Sequence, residues 1–355
     1  MRFNVDIFGT YPPPIGGTSI HLQRLHNRNR KKGIGSVVYD TYTVVFKKTV
    51  KDPTVIPVNN YKRFLLSYFF SRRAQIIHSH SHSWVERMIL TLKANICGQK
   101  IIFTFHSLRD EKEKFSRLQK IAYNYTIKHS DLFIATGTVV KDKMISWGIN
   151  ESKVRLIMPF IAPSMEDGTV LPDDMLKFTN RFKYVITANS SNNDFFNGAD
   201  LYGHDMCIEL MKDLKDREDV GLVFVMTKIT QPAYLDRLRQ IIKEYGLQDR
   251  ILLYEGCVDF ISLLKKTSIF VRPTNTDSWP ISMSESLSLG VPCICSNVCK
   301  RENAAILFES RNQDDFNNVV KYVLNHYQEE CNKLKDIVIA DNYDAILQEY
   351  INILK

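Results

Sequence analysis

No stretch of the 355 residues approaches the 18 or so consecutive apolar residues of a membrane-spanning helix. The seven cysteines are odd in number and form no CxxC pair, which argues against a zinc site and against a secreted disulfide framework. Cys293 and Cys295 alternate within an apolar run and so share one face of a strand, and core packing in a reducing cytosol is the expectation. The apolar stretch after Met1 is too short for a signal peptide, so a cytoplasmic protein is expected. Short internal repeats and low-complexity tracts are absent as well. What is present is globular: 44% hydrophobic and 24% charged residues exclude disorder, collagen and coiled coil, and the length suits about two domains. The net charge of +8 is unevenly spread, with 26 Lys and Arg against 10 Asp and Glu up to residue 165, and 21 against 29 beyond it. A basic half of this kind points to an anionic partner: nucleic acid, a membrane face or a phosphorylated ligand.

Short apolar runs alternate with helical stretches along the chain. Val5 to Phe8, Ser36 to Tyr42, Gln75 to His78, Lys100 to Phe105 and Asp131 to Ala135 read as strands, and Ser19 to Lys32 as a helix stopped by Gly33-Ile34-Gly35. The periodicity breaks at Met158-Pro159-Phe160-Ile161-Ala162-Pro163 and again at Pro172-Asp173-Asp174, a candidate linker. Strands then resume at Lys183 to Ala188, Val220 to Met226, Ile251 to Tyr254, Ile269 to Arg272 and Pro292 to Cys295, with helices between them. Strand–helix alternation implies βαβ units and parallel sheets. The expected fold is therefore α/β, with two Rossmann-like domains at 1–165 and 166–339 and a last helix at about 340–355 free to pack back on the first. In such sheets ligands bind outside the carboxyl ends of the strands, which puts the expected site in a cleft between the two domains.

Three strand-end loops could carry chemistry. Tyr11-Pro12-Pro13-Pro14-Ile15-Gly16-Gly17 leads into the first helix, where paired glycines admit close approach of a ligand and free helix amides attract an anion. It is neither GxGxxG nor GxxxxGK(S/T), and it equally serves as a plain turn. His78, His80 and His82 alternate after one strand and would share a face if that strand continued; no carboxylate or cysteine lies close by in sequence, so no metal is expected. His106 ends the strand Ile101 to Phe105, placed to polarise a ligand or simply to cap. The third loop runs from Arg272 through Asp277 to Pro280, expected at the first helical position, with amides of Ile281 and Ser282 offered to a diphosphate and Glu285 farther along the helix. Asp277 and Glu285 could flank a phosphate and accept from sugar or ribose hydroxyls, or cap a helix and face solvent.

These residues resemble the family-four glycosyltransferases, the retaining, nucleotide-sugar-dependent type with two Rossmann-like domains facing across a cleft (the GT-B fold). The resemblance covers nearly the whole chain. It rests on the acidic pair Asp277 and Glu285, with Asp where the family usually has Glu, and on the following run Ser286 to Gly290-Val291-Pro292-Cys293-Ile294-Cys295-Ser296. Pro13-Pro14-Ile15-Gly16-Gly17 and Thr104-Phe105-His106 are similar to its N-terminal glycine loop and strand-end histidine. The resemblance implies that Glu285 accepts from the ribose and Asp277 from the donor sugar, and that amides at Ile281 and Ser282 hold sugar or phosphate. Gly16 and Gly17 would approach the diphosphate, His106 the reacting carbon, and the Glu255-Gly256-Cys257-Val258 loop the nucleobase. It also implies that no metal or other cofactor is required.

One feature departs from the family. An Arg and a Lys usually follow the first strand of the second domain, but Tyr184 to Met211 contains neither, which leaves Arg272, Lys228, Lys300 and Arg301 as possible substitutes. In the basic half, Phe64-Leu65-Leu66-Ser67-Tyr68-Phe69-Phe70 is flanked by Lys62-Arg63 and Arg72-Arg73, with Lys47-Lys48 also nearby in sequence. Such a segment could meet anionic lipid at the inner face of a cytoplasmic membrane and bring the enzyme to a lipid-linked or oligosaccharide acceptor; a buried helix is the alternative. Nucleic acid is not an expected partner, because no binding motif accompanies the charge. A nucleotide-sugar 2-epimerase and a catalytically weak partner subunit are the competing readings of the same fold.

Overall fold

The computed structural model describes residues 3–41, 52–71, 74–108, 110–163 and 170–355. The chain divides into two compact units, residues 1–162 with 341–355, and residues 163–340.

The first unit is built on a seven-stranded sheet of β1 (Asn4–Gly9), β2 (Gly35–Asp40), β3 (Val55–Pro57), β4 (Ile76–Ser79), β5 (Lys100–Phe105), β6 (Leu132–Ala135) and β7 (Val154–Leu156), ordered β3-β2-β1-β4-β5-β6-β7. Every pairing is parallel. A parallel sheet must be covered on both faces, and the strands are apolar on both. Phe8, Ile77, Ile101, Phe103 and Phe105 point into one cluster with Trp84 and Tyr123; Ile7, Ile76 and Ile102 point into the other with Leu22 and Leu25. That division is the period-two alternation of a strand made visible. The last helix, Tyr343–Leu354, belongs to the second cluster: Tyr343, Ile346 and Tyr350 are buried there, and the Tyr343 hydroxyl donates to Asn29 Oδ1 at 3.1 Å.

The second unit carries β8 (Tyr184–Ser190), β11 (Val220–Met226), β12 (Ile251–Glu255), β13 (Ile269–Arg272), β14 (Cys293–Ser296) and β15 (Ile306–Phe308), ordered β12-β11-β8-β13-β14-β15 and again parallel, with a two-stranded hairpin of β9 (Phe195–Phe196) and β10 (Ala199–Asp200). Ile186, Leu222, Phe224 and Ile294 face one core, while Val185, Val223 and Val225 face another. Cys293 and Cys295 share a strand face, with sulfurs 3.4 Å apart. The helix after β13 spans Ile281–Ser288, and Pro280 is its N-cap with extended backbone (ψ 124°). This corrects the expected placement of Pro280 at the first helical position, because its ψ lies outside the helical range. β4 likewise ends at Ser79, so His80 and His82 do not continue it.

Candidate functional site

In the second unit, the carboxyl ends of β8, β13 and β14 gather two guanidinium groups around one carboxylate. Asp277 Oδ2 accepts from Arg272 Nε at 3.0 Å, Arg301 Nη1 at 3.1 Å and Thr274 Oγ1 at 3.3 Å, and Asp277 Oδ1 accepts from the Ser278 amide at 3.0 Å. Arg272 also donates from Nη1 to the carbonyl of Asn189 at 3.1 Å and to its Oδ1 at 3.0 Å. Arg301 is clamped from the β14 side by the Ser296 carbonyl at 3.0 Å and the Ser296 hydroxyl at 3.2 Å. Burial works against a charge on Asp277, but Arg272 and then Arg301 outweigh it and hold the carboxyl down at about 2. One carboxylate between two buried guanidinium groups leaves a positive remainder.

That remainder sits at the start of the helix Ile281–Ser288, whose first amides have no intrahelical partner. Ile281 and Ser282 are buried there, with Ser282 Oγ donating to Asn189 Oδ1 at 3.3 Å. Glu285 is also buried, at 5% exposure, which removes the solvent-facing reading of that side chain. Of the four substitutes for the family's basic pair, Arg272 and Arg301 join the cluster, whereas Lys228 and Lys300 are exposed. The helix after β8 cannot serve in their place, because Asp200 occupies its N-terminus. Asp200 accepts from the amides of Tyr202 (2.9 Å) and Gly203 (3.1 Å), from His204 Nδ1 (3.0 Å) and from the Tyr234 hydroxyl (2.7 Å). Burial opposes that charge too, yet the His204 contact prevails and the Asp200 carboxyl is held at about 2. In the nucleobase loop, Gly256 adopts φ 136° and donates its N–H to the Met226 carbonyl at 2.9 Å. The Val258 side chain packs with Leu171, Met175 and Leu263, leaving only its backbone to meet a ligand.

In the first unit, Gly16 is the extended N-cap of the helix Gly17–Lys31, held by its own N–H to Ser19 Oγ at 3.0 Å, while that hydroxyl donates to the Pro14 carbonyl at 2.6 Å. A Cβ on Gly16 would meet no atom within 4 Å, so the helix start opens onto space rather than packing. Gly17 is exposed, and the first turn carries no acidic side chain. His106, directly after β5, does not stand alone. His80 Nδ1 lies 3.0 Å from His106 Nε2, and the His21 ring lies 5.0 Å from that of His106 and 5.4 Å from that of His80. Burial first, and neighbouring imidazoles second, keep His80 and His106 neutral, with pKa values well below the ordinary range. Burial likewise takes His21 down to about 4.

The face-sharing trio expected from His78, His80 and His82 does not form. His78 is spent in the core, where Nδ1 meets the Tyr350 hydroxyl at 2.5 Å and Nε2 the Thr104 hydroxyl at 2.7 Å; His82 is exposed. The cluster instead takes His21 from the first helix, His80 from beyond β4 and His106 from beyond β5, whose strands are neighbours in the sheet. His21 was not visible as a site residue in the sequence, and its one signal is its place one turn into the helix that follows the glycine loop.

Two α/β units, each built on a parallel sheet, have the architecture of the GT-B glycosyltransferases, and similarity to known proteins agrees. Residues 15–164 match the family described as Glycosyltransferase Family 4, and residues 198–339 match Glycosyl transferases group 1. The chain belongs to glycosyltransferase family 4. A curated relative, the UDP-Gal:alpha-D-GlcNAc-diphosphoundecaprenol alpha-1,3-galactosyltransferase of Escherichia coli, is 30% identical over 124 residues, a match spanning 31% of this chain and 32% of that protein. A glycosyltransferase from Rickettsia africae superposes with a TM-score of 0.72 at 17% identity over 99% of each chain. Anabaena HepE in complex with UDP-glucose gives 0.70 at 14% identity over 98% of this chain and 95% of that one. At these identities the two structures speak for the GT-B fold alone.

Proposed function

We propose that this chain is a retaining glycosyltransferase that moves a sugar from a nucleoside-diphosphate sugar to a lipid-linked or saccharide acceptor during polysaccharide or glycolipid synthesis. The observation that carries the reading is the Arg272–Asp277–Arg301 cluster at the start of the helix Ile281–Ser288. When the glycosidic C–O bond breaks, negative charge develops on the diphosphate, and fixed guanidinium groups and helix amides stabilise it without reorganising. No metal cofactor is needed for that step. Asp277 acts on the donor chiefly by holding both arginines in place, since its Oδ2 is already shared between them. Glu285 accepts from the ribose hydroxyls, the Gly256–Val258 backbone reads the base, Gly16 and Gly17 meet the diphosphate, and His106 contacts the sugar near its reacting carbon. The acceptor attacks the face the nucleotide leaves, so configuration is retained without a protein nucleophile.

The acceptor reading draws support from the Escherichia coli relative, whose substrate is carried on diphosphoundecaprenol. Among the described residues no helix is long and apolar enough to cross a membrane. The helix Tyr61–Phe69 instead buries Tyr68 on one side and exposes Leu66 (66%) and, just beyond its end, Phe70 (80%), with Lys62 and Arg63 exposed beside them. That arrangement suits shallow insertion at an anionic inner leaflet. Arg72, Arg73, Lys47 and Lys48 lie outside the described residues.

The test is to incubate the purified protein with a panel of nucleotide sugars and lipid-diphosphate acceptors. Nucleoside diphosphate release with an α-configured product from an α-donor is expected. Release of a 2-epimer, inversion at the anomeric carbon, or no binding of any donor would each overturn the reading.

A further inference from the structure

We propose that His21, His80 and His106 form a binding site for one divalent transition metal ion of the zinc class, a site distinct from the diphosphate chemistry above. One nitrogen from each ring can be chosen so that all lie within 4.8 Å of one another. The ring centroids stand at the corners of a nearly equilateral triangle, with edges of 5.0, 5.3 and 5.4 Å. Three imidazoles on a tetrahedral zinc, with Zn–N of about 2.0–2.1 Å, place their nitrogens about 3.4 Å apart and their ring centroids about 5.2 Å apart. The 3.0 Å separation of His80 Nδ1 and His106 Nε2 is already close to that value.

An unsatisfied atom of His21 points the same way. His21 Nδ1 donates to the Pro159 carbonyl at 2.7 Å, which fixes its tautomer and leaves a lone pair on Nε2. That Nε2 is buried and has no hydrogen-bond partner among the described residues. A buried nitrogen without a partner is costly, and a histidine whose other nitrogen donates to a backbone carbonyl is the usual arrangement of a metal ligand. The scaffold is also stiff. The His80 amide donates to the Phe8 carbonyl at 2.8 Å, and a Cβ on Gly9 would lie 2.6 Å from Leu22 and 3.2 Å from the His80 Cβ, so β1 presses against both the helix and the histidine. Imidazole ligands suit zinc, copper and nickel rather than magnesium or calcium.

Three protein ligands leave a fourth position for water or a sugar hydroxyl, and a metal there takes His106 away from the donor sugar. Zinc-class ions therefore inhibit transfer rather than assist it.

The test measures binding of Zn2+ and of Co2+ to the metal-stripped full chain, by equilibrium dialysis and by the visible absorption of tetrahedral cobalt. One equivalent bound in the presence of excess Mg2+ is expected. His21→Gln and His80→Gln, each verified as folded by circular dichroism, should weaken that binding by more than about 100-fold, beyond the loss caused by removing only a supporting hydrogen bond. His326→Gln, at a half-buried position in the second unit, should leave it unchanged. No stoichiometric binding, an octahedral cobalt spectrum, or retention by the His21→Gln and His80→Gln proteins would overturn the site, the last result placing the ion elsewhere on the chain. Binding is read without sugar, so it stands apart from the transferase reading; metal bound without inhibition would instead remove His106 from the donor.

Discussion

Replacing Asp277 by Asn keeps the volume and one acceptor but removes the carboxylate bonded to both Arg272 and Arg301. The three contacts on Oδ2, at 3.0, 3.1 and 3.3 Å, become contacts to a neutral amide. The lowering of the Asp277 carboxyl from 3.8 to about 2 sets the lower end of the cost at about 2 kcal/mol. Leaving two buried guanidinium groups uncompensated sets the upper end at about 3–5 kcal/mol. For a unit spanning residues 163–340, 3 kcal/mol corresponds to a fall in melting temperature of about 6–12 °C. The assay is differential scanning of the full chain with and without uridine diphosphate. A bound diphosphate supplies the negative charge that the substitution removes, so the nucleotide should raise the melting temperature of the variant by more than it raises that of the unsubstituted protein. A variant that melts within about 2 °C of the parent, or that gains nothing from the nucleotide, would refute the account of the cluster.

Glu285→Ala should weaken nucleotide binding by about 1–3 kcal/mol through lost charged hydrogen bonds, measured by isothermal titration; unaltered affinity would contradict the ribose role. Acid should destabilise the first unit early: His21 and His26 are each lowered from 6.5 to about 4, so their contribution is complete above pH 6.5 and is lost as pH falls toward 4, by about 3 kcal/mol each. Urea unfolding at pH 7, 6 and 5 reads this, and a flat profile would be inconsistent with it. Gly203→Ala should cost about 2 kcal/mol or more in the second unit, because Gly203 has φ 75° and a Cβ there would sit 2.5 Å from the Pro273 carbonyl oxygen. Leu66→Asp with Phe70→Ser should abolish sedimentation with anionic vesicles while leaving the protein folded, since both side chains are exposed; unchanged sedimentation would remove the membrane contact.

The longer strands were legible because each is an apolar run bounded by turn residues. β5, β11 and β13 begin and end where that pattern does. β3, β7 and β15 escaped because three residues carry no measurable period. The β9–β10 hairpin carries a local signal: Asn197-Gly198 between Phe195-Phe196 and Ala199-Asp200 is a two-residue turn pattern, and both residues have positive φ, 50° and 77°. Asp200, at the end of that hairpin, answers why no Arg or Lys follows β8: the helix start there already holds an anion of its own. The acidity of the second half is thus consistent with a diphosphate site, since Arg272 and Arg301 outnumber Asp277 where it counts. Arg301 lies 24 residues beyond Asp277, and only the pairing of β13 with β14 brings it back. The place of His106 directly after β5 is readable from the apolar run before it, whereas its proximity to His21 and His80 depends on the order β1-β4-β5, which no local pattern encodes.

The last helix bears on how the protein comes off the ribosome. Residues 341–355 belong to the first unit, and until Tyr350 emerges the buried His78 lacks one of its two hydroxyl partners and the face of Ile7, Ile76 and Ile102 lacks part of its cover. Synthesis runs from the amino end, so the 163–340 unit can close while the older half of the chain is still waiting. The unit made first is finished last, and a premature stop before Tyr343 would damage the amino-terminal unit while sparing the one adjacent to the stop.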